Sequence, residues 1–173
     1  PKDIAVTAVR PVPAGFHARF SAIGKRYLYR FVVSSIRPVL ARGYYHWVRV
    51  PMDIGAMRAG ASELCGKHDF ASFASNPGYR RTRGTVRTIQ QARIVRRAYG
   101  MDLVVQGDGF LYNMVRAIAG TLRDVGIGKI PPARVGEILR AGDRNQAGPT
   151  LEPGGLYLVS VLYPAEQLSG TPA

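Results

Sequence analysis

Residues 86–125 read VRTIQQARIVRRAYGMDLVVQGDGFLYNMVRAIAGTLRDV, and this stretch decides the fold. Residues 86–98 are rich in β-branched side chains and predict a strand. Tyr99-Gly100 is a turn signal, so residues 101–106 (MDLVVQ) should pair back across it. A helix is expected over 109–125. Phe110, Leu111, Met114, Val115, Ile118 and Leu122 fall on one side of its wheel, and Tyr112, Asn113, Arg116 and Arg123 on the other. Strands and helices mix without a strict βαβ rhythm. The expected class is α+β, with a largely antiparallel sheet and helices packed on one face.

Upstream, residues 25–33 (KRYLYRFVV) predict a strand whose aromatic face is Tyr27, Tyr29 and Phe31, set against Arg26, Leu28 and Arg30. Residues 4–9 (IAVTAV) predict another, ended by the turn Pro11-Val-Pro13-Ala-Gly15. Asp53 should cap a helix carrying Ile54, Met57, Ala61 and Leu64, with Gly66 as its stop. Residues 76–84 (NPGYRRTRG) read as a mobile basic loop. Downstream, Pro131-Pro132 opens a helix that buries Val135, Ile138 and Leu139 and ends at Gly142. Residues 156–163 should be a last, largely buried strand. Residues 1–164 are expected to be one domain, and 165–173 a loose tail.

The 173 residues are 46% hydrophobic and 20% charged, ordinary values for a chain with a proper core. No apolar run approaches the ~20 residues of a membrane span, and no basic-then-apolar start argues for export. The single Cys65 excludes an internal disulfide framework and fits a reducing compartment, so a cytoplasmic protein is expected. Residue 1 is Pro, not Met: either the start is processed or the chain is a piece of a longer one.

The unusual quantity is charge. Twenty-four Lys and Arg against eleven Asp and Glu give a net +13. No acid stands between Ile4 and Met52, where there are eight bases, nor between Phe70 and Met101, where there are seven arginines. A GC-rich genome would explain Arg over Lys but not the shortage of acids. A polyanionic partner is implied, nucleic acid ahead of an anionic membrane surface. The membrane reading needs an amphipathic helix with a basic face, and the first helix offers only Arg58 and Glu63 as charged members.

Several chemistries find no support. There is no Gly-rich phosphate loop and no Gly-x-Ser-x-Gly elbow. His17, His46, His68 and Cys65 lack metal-ligand spacing. Cys65, ending an amphipathic helix, reads as core rather than nucleophile. The seven aspartates each lie near a turn or helix end, where capping outweighs catalysis. What remains is aromatic and basic: Tyr27 and Tyr29 between Lys25, Arg26 and Arg30 suit a splayed nucleotide, or equally a strand burying two tyrosines. Arg116 reads by default as a solvated surface arginine.

The order of motifs resembles one family, the TruA-type tRNA pseudouridine synthases. The matching stretches are Asp3-Ile-Ala-Val6, Phe16-His-Ala-Arg-Phe-Ser-Ala22, Lys25-Arg-Tyr-Leu-Tyr29, Gly66-Lys-His-Asp-Phe-Ala-Ser-Phe73 and Val86-Arg-Thr-Ile89. They continue with Phe110-Leu-Tyr-Asn-Met-Val-Arg116 and Gly120, Val125-Gly-Ile-Gly-Lys129, Ala147-Gly-Pro-Thr150, Gly155-Leu-Tyr-Leu-Val159 and Tyr163-Pro164. The loop 76–84 matches poorly.

The resemblance implies a cytoplasmic, homodimeric enzyme that isomerises uridine to pseudouridine in the tRNA anticodon stem-loop, with no cofactor and no metal. An Asp attacks the flipped nucleotide, the glycosidic bond breaks, the uracil turns and a C–C bond forms. Tyr27 would pack on the target base, Leu111 line its pocket, and Arg116 pair with the nucleophile. Arg19, Lys25, Arg26, Arg80, Arg81, Arg83 and Arg87 would hold the RNA. The family's Gly-Arg-Thr-Asp-Ala-Gly motif is missing from these residues. The expectation is therefore a C-terminal half whose partner is the N-terminal half of the same enzyme. The alternative is an RNA-binding module without chemistry.

Overall fold

The structure, a computed structural model, describes residues 1–75 and 84–168. The central hairpin is β4 (Val86–Arg97) and β5 (Gly100–Gly107), paired antiparallel from Arg97↔Gly100 to Ile89↔Gly107 with one irregularity between Ile89 and Gln91. Gly100 is required where the turn meets β1 (Gly24–Val33): a Cβ there would stand 2.1 Å from the Phe31 carbonyl oxygen. β1 pairs antiparallel with β5 along Lys25–Val32. Its other edge takes β6 (Leu156–Leu162) antiparallel along Gly24–Tyr29 and the short β2 (His46–Val48) in parallel along Phe31–Val33. β3 (Gly66–Asp69) closes the far side against β4. The order β2-β1-β5-β4-β3, with β6 also on β1, makes a six-stranded, mostly antiparallel sheet among the described residues.

Side-chain alternation divides the sheet into two faces. Tyr29 and Phe31 of β1, Leu103 and Val105 of β5, and Ile94 of β4 are buried together with the helices in one core cluster. Those helices are α1 (Ile54–Ser62), α2 (Met114–Gly126) and α3 (Arg134–Ala141). Asp53 caps α1, its carboxylate accepting from the Ala56 N–H at 3.0 Å. α3 buries Val135, Ile138 and Leu139 and ends at Gly142 in the left-handed conformation, φ 63°. Each fully buried Leu, Ile or Phe contributes roughly 1.5–3 kcal/mol of transfer free energy, so this face dominates stability.

The structure corrects several expectations. Residues 4–9 form no strand: Ile4, Val6 and Val9 are 67%, 78% and 87% exposed, because no sheet edge lies beside them and β-branching alone does not make a strand. α2 starts at Met114 rather than 109. Residues 110–113 form a turn instead, with Asn113 at φ 60°. β6 is not largely buried, since Leu158 and Val159 are 54% and 52% exposed. Cys65 is exposed rather than core, because α1 ends at Ser62 and the turn carries it outward. Asp102 lies mid-strand in β5, far from any cap. It is fully buried between Arg30 (3.0 Å) and Arg97 (2.7 Å) on the face opposite the helices. The expected basic loop lies, at 76–83, outside the described residues. Of the expected loose tail, Ala165–Gln167 form a 3-10 turn, and 169–173 lie outside the described residues.

Candidate active site

Where β1 emerges from beneath α2, its helix-side face becomes accessible. Tyr29 and Phe31 are covered, whereas Tyr27, two residues earlier on the same face, is half-buried. The Tyr27 ring meets Phe110 edge-on, centroids 5.1 Å apart at 83°. Across the ladder, Tyr27 faces Val105 on β5 and Leu158 on β6. Directly opposed residues in an antiparallel pair share a face, so Tyr27, Phe110 and the exposed Leu158 form an apolar shelf. Burial holds the Tyr27 phenol above the usual tyrosine range, so it is a neutral hydroxyl at physiological pH.

The turn after Phe110 brings in the second half of the site. Leu111 is buried, and its carbonyl accepts from the Met114 N–H at 3.1 Å to start α2. Tyr112 points outward, 68% exposed. Asn113, left-handed as Asn tolerates, turns its Oδ1 to accept from Arg116 Nη1 at 2.7 Å. The Arg116 Nε–H donates to the Leu151 carbonyl at 2.5 Å. Arg116 is thus half-buried and held at two nitrogens, yet it has no carboxylate partner among the described residues. Its charge also acts on the Tyr29 phenol, which burial pushes far above the usual tyrosine range and Arg116 partly draws back. An arginine so placed offers its remaining N–H groups to an anion.

The other candidates separate. Lys25 shares the face of Tyr27 by alternation. The Arg87 side chain lies beside Gly109, at 3.4 Å from where a Cβ would stand, next to Phe110. Arg19 packs over Phe20 in the turn of residues 17–21, which the Tyr163 hydroxyl tethers through the Ala18 carbonyl at 2.7 Å. Arg26 is on the opposite face, both Nε and Nη2 donating to Gln106. Arg80, Arg81 and Arg83 lie outside the described residues. Leu158 escaped the sequence reading because only strand register brings it to Tyr27. A groove of about 720 Å³ lined by Met52, Asp53 and residues 125–132 sits at the other end of α2, away from these groups.

A sheet surface with a neutral aromatic, an apolar shelf and an arginine that has no carboxylate partner among the described residues suits a protein that handles an unstacked nucleotide. The comparisons agree. A family described as tRNA pseudouridine synthase matches residues 61–164. Proteins named tRNA pseudouridine synthase A from Pseudomonas aeruginosa and Bacillus subtilis are 42% and 44% identical over 166 and 164 residues. These alignments cover 96% and 94% of this chain, and 58% and 65% of the relatives. The same-named protein of Thermoanaerobacter pseudethanolicus is 40% identical over 163 residues, 94% of this chain and 66% of its own. The chain belongs to the tRNA pseudouridine synthase family, and it spans under two thirds of the length of these relatives.

Proposed function

We propose that the chain forms one wall of the active-site cleft of a tRNA pseudouridine synthase acting on uridines of the anticodon stem-loop. The observation that carries this is Arg116: a half-buried guanidinium, fixed at two nitrogens and with no carboxylate partner among the described residues, in the helix that follows the turn after Phe110, whose ring meets Tyr27. In this reading Arg116 pairs with a nucleophilic Asp supplied by sequence outside these 173 residues, the N-terminal half of the same enzyme. Tyr27 and Leu158 flank the flipped uracil, and Leu111, in the turn that follows Phe110, lines the base pocket. The reaction rearranges one nucleotide: the C1′–N1 bond breaks, C1′–C5 forms, and the C5 proton leaves for N1 or solvent, so neither an oxidant nor a cofactor is needed for balance. Arg19, Lys25, Arg26, Arg80, Arg81, Arg83 and Arg87 contact phosphates, and the working enzyme is a cytoplasmic homodimer. No helix among the described residues is long and apolar enough to cross a membrane.

Titrating tRNA across ionic strength tests the binding half of this reading. If roughly five phosphates are neutralised, affinity falls more than ~100-fold between low and moderately high salt. An isotherm that hardly moves with salt overturns it.

A further inference from the structure

Apart from the Leu151 carbonyl that holds Arg116, the segment Ala147-Gly-Pro-Thr150, with Leu151 and Glu152, has no part in the reading above, yet every one of its residues is tied down. The Gly148 N–H donates to Thr121 Oγ1 at 2.8 Å. A Cβ on Gly120 of α2 would stand 1.9 Å from the Pro149 carbonyl oxygen, and one on Gly148 would stand 2.6 Å from the Thr121 nitrogen. Backbone therefore lies directly on backbone, with a glycine on each side of the contact. Arg144 donates to the Ala147 and Gly148 carbonyls at 3.3 and 2.9 Å and to Thr150 Oγ1 at 2.9 Å. The buried Tyr29 hydroxyl donates to the Glu152 carbonyl at 2.8 Å. Between these two anchors stands Leu151, whose carbonyl takes the Arg116 Nε–H and whose N–H returns to the Arg116 carbonyl at 3.4 Å.

We infer that Arg144 and Tyr29 are positioning residues for Arg116, holding residues 147–152 as a rigid template that aims its guanidinium. The inference rests on the reading of Arg116 as the partner of a carboxylate in the cleft. Arg144 is half-buried and makes no ion pair among the described residues; its bonds go to neutral acceptors within six residues of itself. A guanidinium used in that way braces a turn. Tyr29 is fully buried, and its single polar atom serves the same segment from the opposite side. With Nε committed to Leu151 and one Nη1 proton to Asn113, three N–H groups of Arg116 remain to receive an anion. Displacement of such a group by an ångström costs on the order of 100-fold in rate.

The test uses Tyr29→Phe, which keeps the ring and removes only the donor, and Arg144→Ala. In the ¹⁵N-labelled chain, exchange of the Arg116 Nε proton with water should accelerate at least ~10-fold in both variants. The Leu103 and Val105 amides at the centre of β5 should stay within ~2-fold. Unchanged Arg116 exchange overturns the inference, and so does equal acceleration of the β5 amides, which would mean general loosening. In the synthase supplied with its nucleophile, Tyr29→Phe should lower kcat about 10-fold with KM within about 2-fold. A rise in KM alone counts against the inference. Absence of pseudouridine even in the wild type would defeat the synthase reading, while the exchange measurement would still decide the positioning claim.

Discussion

Arg116 Nε lies 2.5 Å from the Leu151 carbonyl oxygen, tying the first turn of α2 to the segment that leads into β6. This bond changes what the helical wheel implies. On the wheel Arg116 stands opposite the apolar stripe, where a substitution costs within ~0.5 kcal/mol. With its two hydrogen bonds counted, Arg116→Ala should cost about 1–2 kcal/mol, since the half-covered Leu151 carbonyl loses its charged donor. Arg116→Lys keeps the charge but not the fork, and should cut turnover at least ~10-fold with folding intact. Denaturant midpoints and tritium release from C5-labelled tRNA measure the two effects, and wild-type turnover in the Lys variant would return Arg116 to an ordinary surface role.

Tyr27 and Leu158 should separate chemistry from affinity. Tyr27→Ala removes the edge-on contact to Phe110, worth about 0.5–1.5 kcal/mol beyond burial, so some stability is lost. Leu158→Ala, on a side chain 54% exposed, should move stability by no more than ~0.5 kcal/mol. Both should lower turnover strongly and leave tRNA affinity within several-fold, because phosphate contacts dominate binding. A Leu158→Ala enzyme with normal turnover removes Leu158 from the shelf.

Gly120→Ala tests the backbone contact beneath the site. The added methyl would sit 1.9 Å from the Pro149 carbonyl oxygen, so either α2 or the 147–152 segment must move. The expected loss is about 2–4 kcal/mol, in the range of severe overpacking. Gly15→Ala, with nothing within 4 Å of the new methyl, is the control and should be near neutral. Equal thermal melts for the two variants would contradict the packing described for α2.

His46 should give stability a pH dependence. Its ring lies against those of Tyr29 and Phe31, and burial, then the Arg123 charge, hold its pKa below the usual histidine value; Glu152 opposes weakly. The folded state therefore binds fewer protons than the unfolded state below that pH. This contribution is fully present above about pH 6.5 and is lost as pH falls toward the folded pKa. His46→Gln should flatten the melting temperature between about pH 7.5 and about pH 5.5; an unchanged slope would mean another group is responsible.

Much of this could be read from residue order because the signals were local. The β4–β5 hairpin, the Asp53 cap and the Gly142 stop each depend on a few adjacent side chains, and each forms where expected. The turn at 110–113 was masked: Phe110 and Leu111 continue the apolar periodicity of α2, and only the left-handed Asn113 breaks it. What stayed hidden is non-local. Leu158 reaches Tyr27 through strand register, Asp102 finds Arg30 across a strand pair, and Arg116 finds Leu151 at a separation of 35 residues. No periodicity encodes those meetings. The roles of Tyr27 and Arg116 were suggested by family likeness, and the structure adds the contacts that make such roles physically reasonable.

The most direct measurement is tritium release from C5-labelled uridine in anticodon stem-loop tRNA, with the 173-residue chain alone and together with the N-terminal half proposed to carry the Asp. Positioned attack by a carboxylate supplies much of the rate, and Asp53, Asp69, Asp102, Asp108, Asp124 and Asp143 already serve caps, turns, strand amides and ion pairs. The account predicts tRNA binding without release by the chain alone, and release that depends on Arg116 once the N-terminal half is added. Release by the 173 residues alone would show that one of their own carboxylates is the nucleophile, and the account would be wrong.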